Sequence, residues 1–338
     1  MKIYRNSLGG IILTAFSVLA LSACSDWTDT ESLNLNQPDI TDQNPELYAR
    51  YLQNLREYKN SDHKVVYAWF DNSEKIPFSR GQHISDTPDS LDVISMMYPA
   101  ELAEFELADM QTVRTKGTKV VYTISFDKIQ KEYTEKVKEG TETGTFDTYL
   151  KSELDKQIGY AGNFDGLIAE YKGTNPIYMS AEQKAEAKKN QDAFFSVVST
   201  WKTGNADKLL TFQGYPENLL EQTILTSCKH IILATDNVTD DAQLSVVARL
   251  AMVGSGVPTD RFVVAVSTAS LDAADKQTGF YDTDRALLEA AYWTTERSDD
   301  YTRAGLAIYN VQNDYYNAAN TYLYVKSAIN IMNPAPKK

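Results

Sequence analysis

Residues 163–172 read Asn-Phe-Asp-Gly-Leu-Ile-Ala-Glu-Tyr-Lys, and their short apolar run predicts a β-strand over 164–171. Helical patterns lie on both sides of it, at 145–158 and 181–201. A nearly all-apolar strand between two helices is typical of a parallel sheet that is covered on both faces. Successive side chains of a strand point to opposite faces, so positions 166, 168, 170 and 172 share one face.

Seven other segments have the same apolar character and predict further strands, at 64–70, 91–97, 119–126, 208–213, 230–235, 261–267 and 305–310. Further helical patterns lie around them, at 45–60, 99–113, 240–253, 284–293 and 317–331. Eight strands alternating with helices, without a long linker, predict an α/β fold, a single (β/α)8 TIM barrel over 43–338. The competing interpretation, a doubly wound open sheet, would usually need fewer strands.

The first residues predict an export signal. Lys2 and Arg5 precede an apolar run, 8–21, that is too short for a comfortable transmembrane helix. The run ends in Leu-Ser-Ala-Cys24, which resembles a lipobox; the alternative is an ordinary signal peptide followed by a chance cysteine. We therefore expect a lipoprotein signal peptide at 1–23 and a lipid on Cys24 that binds the protein to a membrane.

Residues 24–42 are polar and lack hydrophobic periodicity, which predicts a flexible tether. The acidic residues directly after the cysteine resemble the tether of surface-exported lipoproteins in the Bacteroides group. We therefore expect an outer-membrane anchor and a protein that faces the cell surface.

Composition excludes several functions. The chain has 33 Lys and Arg against 46 Asp and Glu, a formal net charge of −13, and this charge repels nucleic acid and anionic lipid surfaces. Neutral ligands such as sugars remain compatible with it. The three histidines are too scattered for a metal site, and neither a P-loop nor a dinucleotide fingerprint is present. We expect no metal and no cofactor.

The predicted strand 164–171 resembles the signature strand of glycoside hydrolase family 18. That pattern is Asp-Gly-x-Asp-x-Asp-x-Glu after an aromatic or aliphatic residue, and its opening is matched by Phe164, Asp165 and Gly166. The next three carboxylate positions are occupied instead by Ile168, Glu170 and Lys172. Weaker likenesses occur at 119–127, at 230–236 and at 305–316, the last of them to the endo-β-N-acetylglucosaminidase branch of the family. The resemblance covers most of residues 60–332 and implies the same barrel.

The resemblance also implies which chemistry is missing. In the family the last Glu protonates the leaving oxygen, and the neighbouring Asp holds the substrate's own N-acetyl group as it attacks. A lysine at 172 is a poor acid at pH 7 and repels a cationic transition state. Ile168 cannot carry charge. Glu170 is the one carboxylate left in this row, and it can pair with Lys172.

We therefore expect a non-catalytic surface protein that binds glycans containing N-acetylglucosamine, with N-linked glycans as ligands and an outer-membrane importer as a possible partner. Aromatic faces and planar polar groups at strand ends suit a sugar cleft. The candidates are Trp69, Gln213, Asp236, Tyr309 and Asn310. One alternative is an active endo-β-N-acetylglucosaminidase that uses Glu170 in a shifted register. The other is a protein-interaction scaffold, whose barrel mouth would be filled.

Overall fold

The computed structural model describes residues 43–335. The predicted signal peptide at 1–23, Cys24 and the tether at 24–42 lie outside the described residues, so these remain predictions. Within 43–335, no helix combines the length and the apolar character that are needed to cross a membrane.

Eight parallel strands close into a barrel in which neighbours follow chain order and the last strand pairs with the first. They are β1 (Val65–Phe70), β2 (Val93–Met96), β3 (Lys119–Ser125), β4 (Gly166–Tyr171), β5 (Leu209–Gly214), β6 (Ile231–Leu233), β7 (Phe262–Ser267) and β8 (Arg303–Tyr309). The closed ring confirms the predicted (β/α)8 barrel, and the open doubly wound sheet was the wrong alternative.

Helices surround the barrel. Those among the described residues are α1 (Pro45–Asn60), α2 (Glu104–Thr115), α3 (Phe126–Lys138), α4 (Phe146–Ile158), α5 (Ala181–Gly204), α6 (Asp241–Ala251), α7 (Ala286–Thr295) and α8 (Leu323–Met332). The connection from β1 to β2 contains two short 3-10 helices, Arg80–Gln82 and Ile84–Asp86, where other connections have an α-helix. The β5–β6 connection is built in the same way, with Pro216–Asn218 and Thr223–Ser227.

The sequence pattern did not predict helix α3. The strand before it was expected to run to residue 126, but it ends at Ser125, whose hydroxyl accepts the backbone N–H of Lys128 at 3.2 Å. This side chain caps the helix and satisfies one of its free N–H groups. The chain therefore turns from strand to helix without a loop between the two elements.

Two helices begin at least five residues later than predicted. Helix α2 begins at Glu104 rather than 99, because Glu106 reaches back to the N–H of Ala103 at 2.5 Å and fixes the first turn there. Helix α8 begins at Leu323 rather than 317. The carboxylate of Asp314 accepts the N–H of Val325 at 2.9 Å, which holds the start of this helix against the preceding 3-10 turn.

Side chains of the strands form two apolar layers. Inside the barrel lie Val65, Tyr67, Val121, Ile168, Ile232, Val263, Ala265 and Ala307. Between the strands and the helices lies a larger cluster that includes Leu167 and Ala169. The alternation along β4 confirms that a strand covered on both faces produces this nearly continuous apolar sequence.

A polar contact lies inside the barrel at its amino-terminal half. The hydroxyl of Tyr67 is within hydrogen-bond distance of Thr211 Oγ1, at 2.9 Å, and of His230 Nδ1, at 2.8 Å. Burial lowers the pKa of His230 to about 4, so its ring is neutral at pH 7. These side chains fill the centre of the barrel.

Candidate functional site

A cavity of about 460 Å³ opens where the carboxyl ends of the strands meet. We call it the mouth cavity. Among its lining residues are seven that the sequence singled out, Trp69, Glu170, Lys172, Gln213, Asp236, Tyr309 and Asn310. Parallel strands present these ends on one face of a barrel, and this is where such barrels hold their functional residues.

Two residues of the signature strand lie away from this cavity. Ile168 is fully buried inside the barrel, in contact with the inner apolar cluster. Asp165 precedes β4, at the amino-terminal end. Its carboxylate accepts Arg114 Nε at 3.0 and 3.1 Å and the backbone N–H of Val120 at 2.8 Å. Asp165 therefore stabilises the entry into the strand and does not reach the site.

The end of β4 is fixed by helix α3. The carboxylate of Asp127 accepts the backbone N–H of Lys172 at 2.7 Å and that of Gly173 at 3.1 Å. Because Asp127 lies in the first turn of α3, the helix sets the backbone position from which the Lys172 side chain projects. The alternation of faces along the strand places Glu170 on the same side, one layer deeper.

Lys172 pairs with Asp236, not with Glu170 as the sequence suggested. Its Nζ lies 2.6 Å from Asp236 Oδ2, and Tyr215 Oη donates to the same oxygen at 3.3 Å. Asp236 follows β6, and the pair spans the mouth from one strand end to another. Burial alone would lower the pKa of Lys172, but the hydrogen bond to Asp236 and the nearby carboxylates raise it above its ordinary value. The lysine is therefore a fixed cation at neutral pH.

Glu170, Gln213 and Tyr309 form a hydrogen-bonded chain across three strands. Gln213 Nε2 donates to Glu170 Oε1 at 3.0 Å and to Tyr309 Oη at 2.7 Å. The other amide atom, Gln213 Oε1, is buried and has no hydrogen-bond partner among the described residues. Leaving a buried acceptor unpaired costs about 1–3 kcal/mol, which a ligand that donates to this oxygen would recover.

Two aromatic rings form a wall of the mouth cavity. The rings of Trp69 and Tyr309 have centroids 4.6 Å apart and are inclined by 37°. Trp69 Nε1 donates to Thr123 Oγ1 at 3.1 Å, which fixes the orientation of the indole. Burial raises the pKa of the Tyr309 hydroxyl well above its ordinary value, so this group stays protonated. Aromatic faces with a polar edge suit the apolar faces of sugar rings.

Asn310 turns the chain directly after β8. Its backbone lies in the left-handed region, at φ 54°, which is uncommon for a residue other than glycine. Its side-chain amide donates to Ser267 Oγ at 3.0 Å, and its backbone carbonyl oxygen accepts the hydroxyl of Thr268 at 2.6 Å. These contacts tie the ends of β7 and β8 together at the cavity rim.

Sequence reasoning missed several small polar residues that line the cavity, including Thr123, Ser125, Ser267 and Thr278. Thr123 and Ser125 share the inward face of β3 with Val121, so the alternation of that strand could have identified them. Nothing in the local sequence indicates Thr278, which reaches the cavity from a loop. Within residues 43–335, no group of three side chains is arranged to hold a metal ion.

The buried carboxylate of Glu170 leads to a prediction about pH. Burial raises its pKa above the ordinary value, although a hydrogen bond from Ser125 and the charge of Lys172 partly oppose this. The folded protein then binds a proton more readily than the unfolded chain. Stability therefore falls as pH rises from about 4.3, the ordinary pKa, through the raised pKa of the folded state.

We expect Glu170→Gln to remove this loss of stability at higher pH. The variant should be more thermally stable than the wild type at pH 7, with a difference that shrinks as the pH is lowered towards 4. Thermal unfolding across this range measures it. Glu186→Gln, an exposed position on α5 that loses the same charge, is the control. A stability difference that does not change with pH would contradict the assignment.

A closed parallel barrel with a polar and aromatic cavity at the carboxyl ends of its strands defines the class of (β/α)8-barrel proteins whose functional sites lie at that face. Within this class, the chain belongs to glycoside hydrolase family 18, in its BT1044-like group, whose family model matches residues 28–331. No curated protein sequence matches this chain significantly.

Solved structures have the same fold. A structure of BT1044 has 16% sequence identity and a TM-score of 0.62, over 87% of this chain and 95% of that one. An endo-β-N-acetylglucosaminidase from Cordyceps militaris has 16% identity and a TM-score of 0.57, over 84% and 95% of the two chains. A family 18 chitinase from Pseudoalteromonas aurantia has 9% identity and a TM-score of 0.52, over 79% and 99%. At these identities the likeness concerns the fold.

Proposed function

We propose that this protein binds glycans without hydrolysing them, and that its ligands are N-linked glycans recognised through N-acetylglucosamine. The observation that carries the proposal is the ion pair between Lys172 and Asp236. Lys172 stands where the family pattern has its proton donor, and its charge is directed into a contact with a carboxylate.

Lys172, paired with Asp236, cannot act as the acid that hydrolysis needs. A general acid acts best when its pKa lies near the working pH, and an ammonium with a raised pKa does not release its proton at pH 7. The pair is also poorly placed to steady a developing positive charge, because the cation of Lys172 faces the cavity together with its partner. Ile168, which lies deeper inside the barrel than this ion pair, adds no charge to the site.

The mouth cavity retains what binding needs. Its wall contains the inclined rings of Trp69 and Tyr309, and its deeper part contains the unpaired side-chain carbonyl oxygen of Gln213. Pockets that combine apolar area with a few oriented polar groups are typical of small-ligand sites. An open cavity of about 460 Å³ argues against the scaffold alternative, which requires a filled mouth.

A second candidate function is hydrolysis through Glu170. The raised pKa of this buried carboxyl favours it, since such a shift is what a catalytic acid requires. Against it, the Glu170 carboxylate is held by Gln213, and Lys172, two residues nearer the end of the strand, lines the same cavity with its cation. We therefore favour binding.

The deciding experiment exposes the purified, immobilised protein to high-mannose and complex N-glycoproteins and to their free glycans. Mass spectrometry then identifies what is retained and what is released. We expect intact N-glycans to be retained with no trimmed product. Release of a glycan that has lost one N-acetylglucosamine would show an enzyme, and loss of that product in Glu170→Gln would assign the acid. A protein that retains no glycan would contradict binding itself.

We also propose that a lipid on Cys24 anchors the protein in the outer membrane with the barrel outside the cell, where it passes glycans to an importer. The acidic residues after Cys24 support this proposal. Cell fractionation of Cys24→Ala tests the anchor, because the variant should leave the membrane fraction. Protease treatment of intact cells tests the outward orientation.

A further inference from the structure

Arg285 is held in a fixed position beside the mouth. It ends a small hairpin, Phe280–Tyr281 with Asp284–Arg285, that leads into helix α7. Its guanidinium carbon lies 4.3 Å from the ring centroid of Phe280 and 4.5 Å from that of Tyr324. A cation between two aromatic faces is stabilised by their electrons and loses most of its rotational freedom. Its planar group is therefore already oriented before any ligand arrives.

The guanidinium has donors that the protein does not use. It forms no hydrogen bond with any residue between 43 and 335, and no carboxylate in that range lies within ion-pair distance. The side chain is half-buried, so its N–H groups have lost part of their hydration without gaining a hydrogen-bond acceptor among the described residues. Arginine has five N–H donors, and two of them form a fork that matches the two oxygens of a carboxylate.

A second cavity adjoins this group. It has a volume of about 320 Å³ and is lined by Arg285 together with hydroxyl and amide side chains, among them Thr268, Ser270 and Asn313. It shares the lining residue Ser267 with the mouth cavity, so the two cavities are neighbours. Hydroxyl and amide groups that can bind sugar hydroxyls thus line the cavity into which Arg285 faces.

The nearby acids do not neutralise Arg285 by contact. The carboxylate of Asp314 is buried and accepts the N–H of Val325 at 2.9 Å and the amide of Asn317 at 3.3 Å. Asp284 is the neighbour of Arg285 in an extended strand, so its exposed side chain points to the opposite face of the hairpin. The fork of Arg285 therefore remains available to a ligand.

We propose that Arg285 binds the carboxylate of an acidic sugar on the glycan whose neutral part occupies the mouth cavity. The inference rests on the proposed glycan binding and adds the ligand's chemical class. A planar carboxylate accepts two parallel N–H bonds from a guanidinium, which a neutral hydroxyl cannot reproduce. The protein is then selective for glycans that end in a sugar acid.

The test compares one complex N-glycan in three forms: with its terminal sialic acids, with those acids methyl-esterified, and with them removed. Binding to the full-length protein is measured by titration. We expect the free acid to bind about 10- to 100-fold more tightly than the ester or the trimmed glycan, the range for hydrogen bonds to a charged group. Added salt should weaken only the binding of the free acid.

Arg285→Gln should abolish the preference for the free acid and leave affinity for the trimmed glycan unchanged. Arg285→Lys keeps the charge without the two parallel N–H donors and should lose most of the preference. The same variant tests the proposal if Arg285→Gln does not fold. The control is Arg297→Gln, an exposed arginine beyond the other end of α7.

An unchanged preference in both Arg285 variants would overturn the assignment, as would equal binding of all three glycans by the wild type. In the second case, retention of the neutral glycan would show that the proposed function stands alone. If none of the three glycans binds, both proposals fail.

Discussion

Replacing Trp69 with Ala lowers glycan affinity by about 100-fold, the effect typical of a central aromatic residue in a binding site. The indole forms the cavity wall with Tyr309, and its N–H is fixed by Thr123. Its loss removes a face for sugar stacking and lets Tyr309 tilt away from Gln213. Titration with a retained N-glycan measures the change.

A buried tryptophan also stabilises the fold, so a matched variant is needed. Trp293 is 3% exposed against 5% for Trp69, and its indole N–H likewise donates to a hydroxyl, that of Ser245 at 2.9 Å. Each replacement by Ala should lower the free energy of unfolding by about 3–5 kcal/mol. Both variants are assayed at a temperature where circular dichroism shows them folded. Equal glycan affinity in the two would remove Trp69 from the site.

Replacing Gly166 with Ala destabilises the barrel by about 3 kcal/mol, the upper part of the range for overpacking. A Cβ at this position would overlap the carbonyl oxygen and the Cβ of Leu209 on the neighbouring strand. Relief requires β4 and β5 to separate, which weakens a ladder that closes the barrel. Denaturant unfolding gives the free-energy change.

Gly162→Ala is the control for this prediction. It lies four residues earlier, in the 3-10 turn Gly159–Asn163, and an added Cβ would meet no atom within 4 Å. It should change the free energy of unfolding by no more than about 0.5 kcal/mol. A similar effect of both substitutions would mean that close strand packing is not the reason for glycine at 166. The expected contrast explains why the glycine of the family pattern remains although its carboxylates have changed.

The barrel was predictable because each of its strands is indicated by a pattern of neighbouring residues in the sequence. Each strand is a short apolar run, and the alternation along 166–172 correctly placed Ile168 and Glu170 on one face of the strand, which is the inner face of the barrel. The common ends of parallel strands then brought Trp69 and Tyr309 to one cavity, although 240 positions separate them in the chain.

Side-chain partners were less predictable, because they depend on distances between strands. Lys172 and Glu170 are close in sequence, yet Lys172 pairs with Asp236, 64 residues away. Helix α3 was missed because its first residue continues the apolar pattern of β3, and only the cap at Ser125 marks the boundary. The contacts of Arg285 with Phe280 and Tyr324 join the hairpin to α8, and the sequence of neither segment predicts them.

The two connections that lack an α-helix, β1–β2 and β5–β6, lie half a turn apart in a ring of eight strands. At these two connections, on opposite sides of the barrel, the length of the rim can change without displacing a packed helix. Insertions or deletions there alter the approach to the mouth while the strand ladder keeps its register. Related chains can thus acquire different ligand preferences through length variation at two places, with the core sequence under separate constraint.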